Sequence, residues 1–258
     1  MNCMRVNVLI QPMTLFLLML ICPLPVEAVE NVLRLGGAVN RPPFEYVDQG
    51  QLKGINIDIA HAIFADMGEP IDIKLYSVRR LYNLMLTGSI DGSVVWNTGA
   101  TLKNKVLVSQ MYYDSKSSFY SLKERALKIQ STQDLPAYNF GYIGVDDSFL
   151  FGPKGINFND HVSMVKSLLS ERVDVIVLED AIVDHVMKSL AAEKPLQRLI
   201  AFKSKSASFA LSNQGLEAAR AKSLLDAYNK SLLKLKKQGV IRDIIRKYSR
   251  LEHFSYYQ

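Results

Sequence analysis

Cysteine is almost missing from this chain of 258 residues: Cys3 and Cys22 both lie within the first 28 positions. With that stretch removed, the remainder can form no disulfide, use no thiol nucleophile and hold no cysteine-ligated metal, even in an oxidising compartment. Long apolar runs are scarce as well. Met13 to Ile21 (MTLFLLMLI) is the candidate, and it is too short to cross a bilayer. Arg5 precedes it and Val26-Glu27-Ala28 follows it, the order of a secretory signal peptide cleaved near Ala28. Residues 1–28 therefore read as a leader, and the product as exported to the periplasm. Cys22 lacks small residues before it and has Pro23 after it, which argues against lipid attachment. The four histidines (His61, His161, His185 and His253) are scattered, three in expected helices and one in the tail, and most of them read as surface residues. G-x-S-x-G, H-E-x-x-H and phosphate-loop signatures are missing too, so the common hydrolase, metalloprotease and nucleotide-binding patterns are excluded. No metal and no cofactor is expected.

What is present fits a folded globular protein. Hydrophobic residues make up 48% and charged residues 22%, enough apolar surface to exclude disorder. Formal charge is +6, and it stays there after the leader takes away one cation and one anion. Many cations lie near the end, among them Lys222, Lys230, Lys234, Lys236, Lys237, Arg242, Arg246, Lys247 and Arg250. They alternate with apolar residues at helical spacing, the pattern of a solvated helix face. Together with export, this excludes nucleic acid as a partner.

The spacing predicts a strand over Val32–Val39, a helix over Ile57–Met67 stopped by Gly68, and a strand over Ile71–Tyr76. A helix over Val78–Leu86 and a strand over Gly92–Trp96 follow. This β-α-β-α-β order implies a parallel sheet flanked by helices. Residues 106–122 read as irregular to extended. A second unit has strands at Tyr138–Ile143, Val173–Leu178 and Leu199–Lys203, with helices at Asp160–Ser170 and Ala181–Leu190. From Leu216 on the chain is helical, with Leu216, Ala219, Leu224, Ala227, Tyr228, Leu232 and Leu235 as the apolar stripe. Extended passages near 115–122 and 203–212 are the natural crossings between two lobes, and two crossings permit hinge closure. Between the first strand and first helix stands RPPFEYVDQGQLKG, residues 41–54. Two prolines cannot extend a central strand. The stretch is thus a shaped loop at a strand end, where α/β folds place ligands.

Ordered blocks over about residues 32–250 carry a resemblance: PPFEYVDQGQLKGINIDIAHAI, LYNLMLTGSIDGSVV, VSQMYYD, SLLSERVDVIVLED and LLDAYNKSLLKLKKQGVIRDIIRKY. Together they resemble bacterial extracellular solute-binding protein family 3, the amino-acid type of periplasmic binding protein. The resemblance implies a type II periplasmic-binding-protein fold: α/β, two lobes, each a mostly parallel sheet flanked by helices, joined by two crossing strands. Lobe 1 is then 29–117 plus 206–258, and lobe 2 is 118–205. It implies a monomer that closes on a small polar ligand, amino-acid-like or another charged metabolite, and presents it to an inner-membrane ABC permease or to a sensor protein. It implies no catalysis; a few relatives of the fold act as dehydratases, which keeps an enzyme as the alternative.

The resemblance also nominates site residues. Phe44 packs its face on the ligand, with Tyr46 beside it; packing within the loop is the alternative for each. Trp96 ends a strand at the ligand-facing edge, where it either stacks on a ligand or fills the core beneath the first helix. Asn97 and Thr98 offer hydrogen bonds. The family's carboxylate-clamping arginine is missing; Lys103, with Lys105 as fallback, stands in its place or is merely exposed. Ser148 donates a hydrogen bond in the second lobe, next to Asp146 and Asp147, which repel a ligand carboxylate. Glu179 faces a ligand ammonium or caps the following helix, while Asp180 caps the helix starting at Ala181. The lost arginine and the added acids open the site to a cationic, polyamine-like or otherwise non-standard ligand. The exported product is expected to begin at or next to Val29, which N-terminal sequencing checks; a product retaining Met1 contradicts the leader.

Overall fold

A computed structural model describes residues 32–96, 105–143, 155–202 and 205–255. Strand β1 (Leu33–Ala38) buries Leu33 and Leu35 and runs into the proline loop. That loop contains a small hairpin, β2 (Tyr46–Asp48) against β3 (Gln51–Lys53), which the sequence did not signal. Helix α1 (Ile55–Met67) buries Ile55, Ile59, Ile63 and Phe64 along one face and ends at Gly68. Strand β4 (Ile71–Tyr76), helix α2 (Val78–Thr87) and strand β5 (Gly92–Trp96) follow as the spacing predicts. The interval read as irregular to extended is instead two long strands, β6 (Val106–Ser115) and β7 (Ser117–Leu122), with Lys116 alone between them.

The second unit comprises β8 (Phe140–Tyr142), β9 (Gly155–Asn157), α3 (His161–Leu169), β10 (Val175–Glu179), α4 (Asp180–Ser189) and β11 (Leu196–Ala201). Strand β12 (Lys205–Ser212) then returns to the first unit, followed by α5 (Ala218–Lys237), α6 (Val240–Tyr248) and the short β13 (Phe254–Ser255). Two principal sheets result, in the orders β13-β6-β12-β5-β1-β4 and β11-β7-β10-β8-β9. Each, with its helices, is one lobe. The sheets are mixed rather than mostly parallel. Strand β1 is parallel to β4 and β5, but β12 is antiparallel to both β5 and β6. In the second sheet β7 is antiparallel to both β10 and β11. The cause is topological: the chain leaves the first lobe along β6 and returns along its neighbour β12, so the two must run in opposite directions.

Helices α1, α5 and α6 pack together on the first lobe. Tyr228 of α5 stacks on Phe209 with ring centroids 4.4 Å apart, and its hydroxyl donates to Tyr112 Oη at 2.7 Å. Tyr112 in turn donates to the Val94 carbonyl at 3.2 Å. The α5 stripe differs from the expected one at two positions: Ala219 and Ala227 are exposed, and Ala221 and Ser231 are buried. Ser231 tolerates burial because its hydroxyl donates to Asp66 Oδ2 at 2.8 Å. Helix α2 contributes Leu81 and Met85 to a separate cluster with Ile90, Trp96, Val106 and Ala210. In the second lobe Phe119, Phe140 and Val175 centre another. No described helix is long and apolar enough to cross a membrane.

The loop that precedes α1 is fixed by a close backbone approach. Ile55 N–H donates to the Pro43 carbonyl at 2.9 Å, and Asn56 N–H to that of Phe44 at 3.1 Å. Gly54 permits this: its φ is 132°, and a Cβ there would lie 2.1 Å from the Phe44 carbonyl oxygen. Gly54→Ala is expected to cost about 1–3 kcal/mol or more in stability, since backbone strain adds to a collision that the loop cannot relax. Urea denaturation of the variant against the parent chain measures it.

Candidate functional site

Arg41 opens the proline loop and turns its side chain inward, leaving it 8% exposed. Its Nη1 meets Glu45 Oε2 at 3.2 Å, and its Nη2 donates to Glu179 Oε1 at 2.7 Å. The guanidinium also lies over the Phe44 ring, 4.5 Å from the centroid. Phe44 itself stacks on Tyr113 at 5.9 Å and meets Phe254 edge-on at 6.0 Å. Behind Glu45 a relay holds it in place: Asn56 Nδ2 donates to Glu45 Oε1 at 2.7 Å, and Tyr113 Oη donates to Asn56 Oδ1 at 2.6 Å. Glu179 ends β10, where it pairs with Ser117 at the start of β7. The cluster therefore joins the two lobes beside a crossing strand.

Its electrostatics follow from burial. Burial pushes the Glu45 carboxyl up, against the pull of Arg41 and Asn56. For Arg41 burial acts to lower the guanidinium, but Glu45 and Glu179 outweigh it and the group is held charged. Burial likewise raises the Tyr113 hydroxyl well above its ordinary range, so it stays a donor.

Lys116 ties the crossing to the turn just before β13: its N–H donates to the His253 carbonyl at 2.9 Å and its Nζ to that of Glu252 at 2.7 Å. Asp180 N–H donates to the Lys116 carbonyl at 2.9 Å. Nearby, Asp184 of α4 is held by Arg250 and by His253 Nε2, the latter at 3.4 Å. Tyr46 packs on His185 of the same helix at 5.5 Å. A further opening between the lobes, about 250 Å³, has Ser77 and Arg79 on one side and Asn157, Phe158 and Asn159 on the other.

A family model for bacterial extracellular solute-binding proteins, family 3, matches residues 33–250. The chain belongs to this family. The arginine-binding extracellular protein ArtP of Bacillus subtilis (strain 168) is 22% identical over 231 residues, 86% of this chain and 88% of its own. Among solved structures, a histidine kinase sensor domain similar to periplasmic binding proteins superposes with a TM-score of 0.76 at 16% identity, covering 85% of this chain and 96% of the other. An ancestral arginine-binding protein bound to arginine does so with a TM-score of 0.73 at 24% identity, covering 84% and 97%. The fold is the two-lobe α/β architecture of periplasmic binding proteins.

Of the residues nominated from the sequence, Phe44 and Glu179 are brought together, through Arg41. Tyr46 stands on the α4 side, against His185. Trp96 is 3% exposed and stacked on Tyr82, ring centroids 4.7 Å apart, a core position against α2 rather than beneath the first helix. Asn97, Thr98, Lys103 and Ser148 lie outside the described residues. Lys105 is exposed, and its carbonyl accepts the Asn213 N–H at 3.0 Å. The cap position of α4 falls on Glu179, whose side chain makes no cap hydrogen bond because it reaches Arg41. Asp180 does not cap from outside but is the first helical residue, where its carboxylate accepts from Tyr120 at 2.8 Å and pairs with Arg198 at 3.2 Å. His161 and His253 are buried, not on the surface, the latter because β13 folds it against the crossing. Sequence reasoning passed over Arg41, Glu45, Asn56 and Tyr113; the available signal was a charged pair four residues apart inside a proline loop.

Burial holds His185 and His253 below their usual value of 6.5; Lys188 adds to this for His185, and Asp184 opposes it for His253. Depressed histidines give stability that is present above pH 6.5 and lost as pH falls through their lowered values. Glu45, raised, acts in the opposite sense. The His185→Asn, His253→Asn double variant is therefore expected to lose less melting temperature than the parent between pH 7.5 and 5.5. Thermal unfolding at both pH values checks this; an equal loss in the two proteins contradicts it.

Proposed function

We propose that the chain, exported to the periplasm with its leader cleaved near Ala28, captures a small polar ligand between its lobes and presents it to a membrane permease. The lobes in this reading are 29–117 plus 206–258, and 118–205. The observation that carries it is the convergence of charged and aromatic side chains from both lobes at one point beside the crossing strand, with Arg41 reaching Glu179 at 2.7 Å. A guest that touches both lobes biases the equilibrium between open and closed arrangements, and so signals its presence to a partner. Phe44 and Glu179 contribute to the site, and Lys103, in the place of the family's arginine, takes the ligand's carboxylate. The ligand is amino-acid-like, which relatives named for arginine binding support, or another charged metabolite. No chemistry is required of the protein, and a monomer suffices.

A second reading keeps the capture step and changes the listener: a sensing module for a signalling protein. The similarity to a histidine kinase sensor domain favours it. Titration calorimetry and thermal shift against a metabolite library, with mass spectrometry of ligand retained on purification, test the capture step. At least one compound is expected to raise the melting temperature with increasing concentration. A library without effect, together with no retained ligand, overturns capture.

A further inference from the structure

Arg41 differs from an ordinary ion-paired arginine in three ways. Its guanidinium is buried, its two carboxylate partners come from different lobes, and an aromatic face lies beneath it. Carboxylates around an aromatic face form a recognition surface for an organic cation, through charge-assisted hydrogen bonds and cation–π attraction. Here that surface is already filled by the chain itself. The opening at Arg79 has the opposite character. Among the described residues that line it are one cation, a hydroxyl and two amides, and no carboxylate.

We propose that Arg41 is a tethered occupant of the interlobe cation site, so that the ligand taken by the cleft is an organic anion, a carboxylate with no cationic group directed at Glu179. This rests on the solute-capture reading above and narrows its ligand. An incoming ammonium or guanidinium has to displace a group that is covalently held in place, against a high effective concentration. Rejection of cations is thus built in by occupancy, and a carboxylate avoids the contest.

Removing the side chain should vacate a site that a free guanidinium compound fits. Calorimetry is run on the mature wild type, on Arg41→Ala and on the double variant Arg41→Ala, Glu179→Gln, with agmatine as the cation probe. The expected result is a gain in agmatine affinity of roughly tenfold or more in Arg41→Ala, the value of one charge-assisted contact, and its loss in the double variant. Equal agmatine affinity in wild type and in folded Arg41→Ala overturns the proposal. Should Arg41→Ala fail to fold, the wild type decides: matched pairs of an α-amino acid and its deaminated carboxylate are titrated. Tighter binding of the carboxylate supports the proposal, and tighter binding of the amino acid overturns it while leaving capture intact. A wild type that binds neither these probes nor any library compound defeats the capture reading instead.

Discussion

A guanidinium taken out of water is the constraint around which the interlobe region is organised. Desolvating such an ion costs several kcal/mol even after relaxation, and stripping a buried pair of one partner typically costs about 3–5 kcal/mol. Arg41 therefore needs its carboxylates, and those carboxylates need their own support. Glu45 obtains it from Asn56 and, through Asn56, from Tyr113. Glu179 stands at the end of a central strand of the other lobe. The supporting groups sit on elements that also build the lobes, for β10, α1 and β6 all meet at this point. A buried ion pair is weak evidence for stability but good evidence for a specified geometry, and the geometry specified here is the approach of one lobe to the other.

The loop before α1 transmits that specification. Its backbone folds back on the first residues of the helix, and Gly54 lets the carbonyls of Pro43 and Phe44 reach the N–H groups of Ile55 and Asn56. Because Asn56 donates its backbone N–H to the Phe44 carbonyl and its side-chain amide to Glu45, loop shape and charge network cannot change independently. Phe44, placed between them, is covered on one side by Arg41 and on others by Tyr113 and Phe254.

The sequence was most legible where one face of an element is wet. Helices α1 and α2 are amphipathic, and their extents follow from apolar spacing and from the stops at Gly68 and Gly88. The crossing strands were legible only as extended passages near 115–122 and 203–212 and not as members of a sheet, because they carry buried serines: Ser115, Ser117, Ser118 and Ser121 are almost fully covered, and serine in an extended run reads as loop. The same bias hid the site. Phe44 and Glu179 were reachable through family resemblance, but a charged residue beside two prolines looks like a solvated turn, and nothing local reveals that Arg41 finds a partner 138 positions away. Trp96 shows the converse: a lone tryptophan at a strand end invites a ligand role, yet here Tyr82 covers it.

The interleaving of the first sheet bears on how the chain folds as it is made. The five strands β7 to β11 are contiguous in sequence, so the second lobe can assemble as soon as they are available. The first sheet cannot. Its central strand β12 lies between β5 and β6, and β13 edges it, so residues made early wait with an open gap for residues made late. Pairings of such long sequence separation form slowly and leave strand edges exposed meanwhile. The half of the molecule that begins first is thus the half completed last, and protection of its unfinished edges falls to whatever meets the chain before β12 and β13 arrive.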